Sequence, residues 1–235
     1  MRILIVENIR ETSLGQVEVA LTEAGAEQVW RRPWNGEALP ETTEGFDGVV
    51  VLGGEQNAVD DERHPYLPDL ARLMKLFGDE DKAVLGICLG SQLLARAHGG
   101  TNLIGGHTEL GWHRVALTEA GRADPVFDAI DGDFPIFEWH SDSFTLPEGA
   151  VHLAANDVAA NQCFRIGRAS YGMQFHFEAN VRVVEVWRRD FVDTIERLRP
   201  GWLADYDRQA ATDGALADAA GLAIAPASVG RVFED

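Results

Sequence analysis

Residues 83–92 read AVLGICLGSQ. A short apolar run enters G-x-C-x-G and passes into a helix-compatible segment that lasts to His98 and is closed by Gly99–Gly100. Strand, tight turn and helix in that order, with a nucleophilic residue between small ones, form a nucleophile elbow, here with Cys88 where serine is the commoner choice. Such a turn forces strained backbone angles, and small flanking residues let strand and helix pack closely. It places the thiol at a helix N-terminus, where the dipole favours thiolate, and leaves the first helical amides unpaired and able to hold an oxyanion. The competing account is a buried structural cysteine, since free cysteine is among the most buried residue types. The complete strand–turn–helix context favours the nucleophile.

The same alternation surrounds the elbow. "RILIVE" at the N-terminus is a compact strand. Leu14, Val17, Leu21 and Ala24 then recur at helical spacing, with Ser13 as an N-cap and Gly25 as a stop. "GVVVLGG" (48–54) is a fully apolar strand of the kind buried in parallel sheets. Leu67, Leu70, Leu73 and Phe77 mark a further helix. Strands alternating with helices predict βαβ units on a parallel sheet.

From Thr108 to Ala179 the character changes. "GWHRVALT", "FPIFEWH", "AVHLAAN", "NQCFRIG" and "SYGMQFHFE" read as strands with no convincing helix among them, an antiparallel extension of the sheet. A single helix is predicted beyond, with Val184, Trp187, Phe191, Ile195 and Leu198 on one face and Pro200–Gly201 as its end. The fold class expected is therefore α/β, an open, mostly parallel sheet flanked by helices. Residues 1–199 are expected to form one domain, with 200–235 as an Ala- and Asp-rich extension packed on it.

The chain has 235 residues, 46% hydrophobic and 9% aromatic, as in an ordinary globular protein. Its net charge of −18 repels nucleic acid and anionic membranes. Two cysteines, Cys88 and Cys163, make no disulfide framework. The first apolar run stops at Glu7, so it reads as a strand rather than a signal peptide, and no run approaches the ~18 apolar residues of a membrane span. The expected location is the cytoplasm.

A thiol nucleophile needs a base. "QFHFE" offers His176 and Glu178 two residues apart, on one side of a strand end, where the carboxylate orients the imidazole. Gly53–Gly54 end a neighbouring strand on the carboxyl edge where α/β sites form, and bare glycine amides allow close approach. His140, Ser141 and Asp142 form a polar stretch after an apolar strand, which alone reads as a loop. His64, His98, His107, His113 and His152 have no metal-ligand spacing, and no P-loop, CxxC, HExxH or GxGxxG is present. No metal and no cofactor are expected. Cys163 reads as a packed strand residue.

Taken together and in order, "LGG", "GICLGSQ" and "QFHFE" resemble the class I, triad-type glutamine amidotransferase domain, and within it the free-standing GMP-synthetase-like group that includes γ-glutamyl peptidases. The resemblance covers about Met1 to Leu198. It implies Cys88 as nucleophile, His176 as base, Glu178 as its orienter, oxyanion amides from Gly54 and Leu89, Gln92 in the glutamine pocket, and the backbone of His140, Ser141 and Asp142 holding the α-amino and α-carboxylate groups. "ELGWHRV" (109–115) resembles a family segment of unassigned role. Two departures stand out: Phe177 replaces the usual proline between His and Glu, and Glu55–Gln56 replace a common Pro-Ser. PfpI-like proteases place histidine directly after the cysteine, where this chain has Leu89. Cysteine variants of α/β-hydrolases place a distant histidine after the acid.

The activity implied is hydrolysis of a γ-glutamyl amide through a thioester. Three functions follow from it: a glutaminase serving a separate ATP-dependent synthetase, a γ-glutamyl peptidase acting on larger compounds, or a silent binding protein on the same fold. Neither a nucleic acid nor a membrane partner is expected.

Overall fold

The computed structural model describes residues 1–10 and 12–233. The elements run β1 (Arg2–Val6), α1 (Gly15–Glu23), β2 (Glu27–Arg31), β3 (Gly48–Val51), α2 (Leu67–Asp79), β4 (Ala83–Ile87), α3 (Leu89–Ala97), β5 (Asn102–Leu103), β6 (Glu109–Leu117), α4 (Glu119–Arg122), β7 (Phe134–His140), β8 (Ser143–Phe144), β9 (Val151–Ala155), β10 (Cys163–Ile166), β11 (Ser170–Met173), α5 (Val181–Asp190), α6 (Val192–Leu198), α7 (Trp202–Gln209) and α8 (Ala215–Phe233).

Nine strands form one sheet in the order β2-β1-β3-β4-β11-β10-β9-β6-β7. The first five are parallel. The remaining four continue antiparallel. This is the expected α/β class with its antiparallel extension.

The central parallel strands β3 and β4 are apolar throughout because both faces are covered. Successive residues point to opposite faces, and the core divides accordingly: Ile3, Ile5, Val50, Leu85 and Ile87 join the layer that contains Leu14, Val17 and Leu21 of α1 and Ile224 of α8. Leu4, Val6, Val49, Val51 and Val84 join the layer of α2 and α3, with Leu70, Leu73, Phe77 and Leu93.

Several expectations need correction. The edge strand β2 (EQVWR) gives no strong sequence signal because it is half-exposed and mostly polar. The region 108–179 does contain a short helix, α4, capped by Thr118 Oγ1 accepting from the Gly121 amide. The single helix predicted over 184–198 is two, interrupted at Phe191 where φ/ψ is −122°/32°. Ser13 Oγ accepts from the Gly15 amide, yet the residue flanking α1 is Leu14. The tail from Trp202 is helical almost throughout. Its Trp202, Tyr206, Ala217, Ala220, Ile224 and Val229 lie in the same buried layer as the first strand.

Candidate active site

The elbow at Cys88 has the strain its sequence implies. Cys88 has φ 52° and ψ −108°, one of two non-glycine residues at positive φ among the described residues. Gly86 and Gly90 are there for space. A Cβ on Gly86 would strike the Gly90 carbonyl, and a Cβ on Gly90 would strike the Val51 carbonyl. The turn can close only where strand, turn and neighbouring strand touch backbone to backbone. Leu89 is the first residue of α3, so its amide has no acceptor within the helix. The Gly54 amide likewise donates to no backbone carbonyl among the described residues.

His176 and Glu178 do not sit in a regular strand. β11 ends at Met173, and the chain bends toward β7, where the His176 amide donates to the Phe137 carbonyl at 2.8 Å. This bend still brings the pair together, with His176 Nδ1 2.6 Å from Glu178 Oε1. The ring packs edge-on against Trp187, centroids 5.2 Å apart. Phe177, standing where the proline would be, points into the core and is fully buried against Phe175. Burial is the largest single influence and opposes charge on His176, but the Glu178 carboxylate and the Cys88 side chain together outweigh it. The imidazole titrates well above its ordinary value as a result.

Gly53 lies between nucleophile and base. A Cβ there would sit 3.2 Å from His176 Cε1, 3.4 Å from Cys88 Cβ and 3.9 Å from Cys88 Sγ. The thiol itself points at the Trp139 carbonyl, 3.7 Å away. Cys88, His176, Glu178, Gly53, Gly54, Leu89, Gln92, His140, Ser141 and Asp142, the full set expected from the sequence, line one cavity of about 500 Å³. It opens where β1, β3, β4 and β11 end, at the carboxyl edge of the parallel strands.

Within that set, some side chains are already occupied. The Gln92 amide nitrogen donates to Gln174 Oε1 at 3.1 Å and to the Asp142 carbonyl at 3.3 Å, so it clamps the 140–142 turn to α3. Asp142 Oδ1 accepts from the Gly105 amide at 2.7 Å. The His140 ring is buried and faces inward, Nδ1 3.0 Å from the Asp142 carbonyl and Nε2 3.2 Å from Glu109 Oε2. The ring is thus engaged within the protein, and the turn presents Ser141 and backbone to the cavity.

The cavity also contains residues the sequence did not single out: Arg10, Thr12, Trp139, Trp187, Phe191, Thr194 and Arg197. Trp187 and Phe191 appeared only as apolar positions of a helical stripe, and nothing local distinguishes a helix face that walls a cavity from one that fills a core. Gly15 gave no signal either. It lies so close to the Glu178 carbonyl that any side chain would collide with it, and the Gln16 amide donates to that carbonyl at 3.0 Å.

Glu109, Glu138 and His140 are the one grouping among the described residues whose ligand atoms lie within 4.8 Å of one another, as a metal would need. Both ring nitrogens of His140 already face oxygen acceptors, so the set reads as a hydrogen-bonded network.

Known proteins agree with this picture. The family model for glutamine amidotransferase class I matches residues 12–192. The chain is 35% identical over 159 residues to a putative glutamine amidotransferase-like protein, YfeJ, of Salmonella typhimurium, covering 66% of each. It is 29% identical over 137 residues to a glutamine-hydrolyzing GMP synthase subunit from Thermoplasma acidophilum, covering 57% of this chain and 64% of that one. The chain thus spans just under two thirds of either curated relative. A crystal structure of a glutamine amidotransferase from Thermotoga maritima superposes with a TM-score of 0.88 at 27% identity, covering 100% of this chain and 99% of that one. A cysteine elbow at the carboxyl edge of such a sheet, with this family match across most of the chain, places the protein in the class I glutamine amidotransferase family.

Proposed function

We propose that the protein hydrolyses a γ-glutamyl amide, releasing glutamate and an amine, through a thioester on Cys88. The observation that carries this is the convergence of the strained Cys88 turn with the hydrogen-bonded His176–Glu178 pair on one cavity. Cys88 attacks the amide carbon as thiolate, with His176 as imidazolium. The developing oxyanion is held by the Gly54 and Leu89 amides, and one such donor lowers the barrier by ~3 kcal/mol. His176 then gives its proton to the leaving nitrogen, the C–N bond breaks, and water, deprotonated by His176, cleaves the thioester. Glu178 holds the ring in place and stabilises its charged form.

With glutamine as donor the amine is ammonia, which would pass to a separate ATP-dependent synthetase. The relative named as a GMP synthase subunit supports a divided arrangement of this kind. A second donor class is favoured by the cavity itself. At about 500 Å³, and lined also by Trp139, Trp187, Phe191 and Thr194, it has room for a leaving group larger than ammonia, as a γ-glutamyl peptide would have.

Purified protein given glutamine and γ-glutamyl peptides without a partner separates the two by which amine appears. Cys88→Ala is expected to abolish both. Turnover retained in that variant, or no labelling of Cys88 by an electrophilic glutamine analogue, overturns the assignment.

A further inference from the structure

Behind the cavity wall lies a buried group that the proposed reaction does not use. His140 ends β7, and its side chain is 1% exposed. Nδ1 faces the Asp142 carbonyl at 3.0 Å, and a carbonyl can only accept, so Nδ1 carries a proton. Nε2 faces Glu109 Oε2 at 3.2 Å. Glu109 is itself an acceptor at both oxygens. Asn156 Nδ2 donates to Oε1 at 2.7 Å and Gln162 Nε2 to Oε2 at 2.8 Å. Glu109 thus presents acceptors toward Nε2. The geometry matches a ring that donates from both nitrogens and is positively charged.

The surroundings are consistent with that charge. Glu138 Oε2, also from β7, is 3.3 Å from the same Nε2, and neither Glu138 oxygen accepts a hydrogen bond among the described residues. Burial pushes this carboxyl up to about 7, so a neutral ring accepting from protonated Glu138 is the rival arrangement, which the ring-nitrogen shifts distinguish. His113, from β6, stands on the far side of Glu109, its Nδ1 3.4 Å from Oε1. On the side of the elbow the ring interacts electrostatically with Cys88. The thiol and His140 share the cavity wall, and Cys88 Sγ points at the carbonyl of the residue preceding His140.

We propose that His140 is a permanent imidazolium, locked by Asp142 and Glu109, and that it acts as a positioning residue: a fixed positive charge beside Cys88 that raises the thiolate fraction, while its two donors close the 140–142 turn and tie it to β6. The thiol then responds to two cations with different duties. His176 moves a proton during the reaction and His140 never does. Burial alone works against charge on His140, but the Glu109 and Glu138 carboxyls beside it outweigh this and push its titration up to about 10. The part concerning Cys88 rests on its role as nucleophile. The protonation state does not.

Two measurements test the proposal, neither of which uses turnover. In ¹⁵N-labelled wild-type protein, both His140 ring nitrogens, assigned by through-bond correlation, are expected to show the shifts of protonated imidazolium, unchanged from about pH 6 to about pH 9. One unprotonated nitrogen, or a stoichiometric metal retained on Nε2, overturns the proposal. In His140→Gln, which stays neutral and can still donate to a carbonyl, alkylation of Cys88 by iodoacetamide near neutral pH is expected to slow about tenfold, with the pH profile of the labelling rate displaced upward. A purely structural role would leave that profile in place in the folded variant. An undisplaced profile with a doubly protonated ring overturns the thiolate role. If Cys88→Ala retained turnover, the proposed reaction would fall while both of these results stood.

Discussion

Gly53 shows how little room the proposed chemistry leaves at the scale of one residue. Its missing side chain is the space between Cys88 and the His176 ring. Gly53→Ala puts a methyl 3.2 Å from His176 Cε1 and 3.4 Å from Cys88 Cβ. Contacts of that length are tight rather than impossible, so the fold is expected to survive and the thiol–imidazole geometry is not. A small misplacement of reacting groups can cost ~10²-fold, and a loss of that order in kcat/KM with an unchanged melting temperature is the expected result. Glu178→Gln acts on the other side of the ring. The carboxylate is the first contribution that favours the charged imidazole against burial. His176 titrates above its ordinary value in the wild type, so its charged form persists as pH rises. Without Glu178 it is lost at lower pH, and the alkaline limb of the kcat/KM profile should move down. The maximum rate should fall by ~10²–10⁴-fold, as when a triad carboxylate is made an amide. A profile that stays in place would show that Glu178 does not set the state of His176.

At the scale of the element, the turn between β4 and α3 depends on three backbones touching. Gly90→Ala drives a methyl into the Val51 carbonyl of the adjacent strand. Neither atom is the end of a flexible side chain, so β3 and α3 must separate. Overpacking of this kind typically costs ~1–3 kcal/mol, and a lowered midpoint in denaturant with reduced Cys88 labelling is the expected pair of observations. An equally stable Gly90→Ala would mean that the helix can shift without cost. The elbow was legible in the sequence because all its requirements are local: an apolar strand, small residues at fixed spacing, and a helix directly after. The His176–Glu178 segment was legible in its residues and not in its form. Phe177 reads as one more apolar position of a strand, but a strand it is not. Whether 174–178 continues β11 or leaves it for β7 depends on the Phe137 carbonyl that receives the His176 amide, and Phe137 lies 39 residues earlier in the chain.

At the scale of the molecule, the tail braces the site from behind. Gly221 of α8 lies so close to the Phe177 carbonyl and the Gln16 side chain that a Cβ would meet both. Asp218 Oδ1, one turn earlier, accepts from the Val181 amide at the start of α5 at 2.9 Å. The segment carrying His176 and Glu178 is thus held from one side by α1 and from the other by α8. Gly221→Leu is expected to lower both the melting temperature and kcat/KM, although residue 221 is outside the cavity. Full activity in that variant would show that α8 can withdraw without disturbing the His–Glu pair.

The sequence by itself determined the sheet class, the elbow and the identity of the Cys88, His176 and Glu178 side chains that meet at the cavity. Each of these rests on short-range physics: the period of apolar residues, the φ/ψ demands of a tight turn, and the chemistry a side chain carries wherever it is placed. The tertiary structure alone decided that His140 turns inward to Glu109 rather than outward to a ligand, that Trp187 and Phe191 wall a cavity while Ile195 fills the core, and that a weakly patterned tail becomes the support of the proposed base. Those outcomes turn on close approach between segments far apart in the chain. A glycine, a tryptophan or a buried carboxylate looks the same in sequence whether or not such a neighbour arrives.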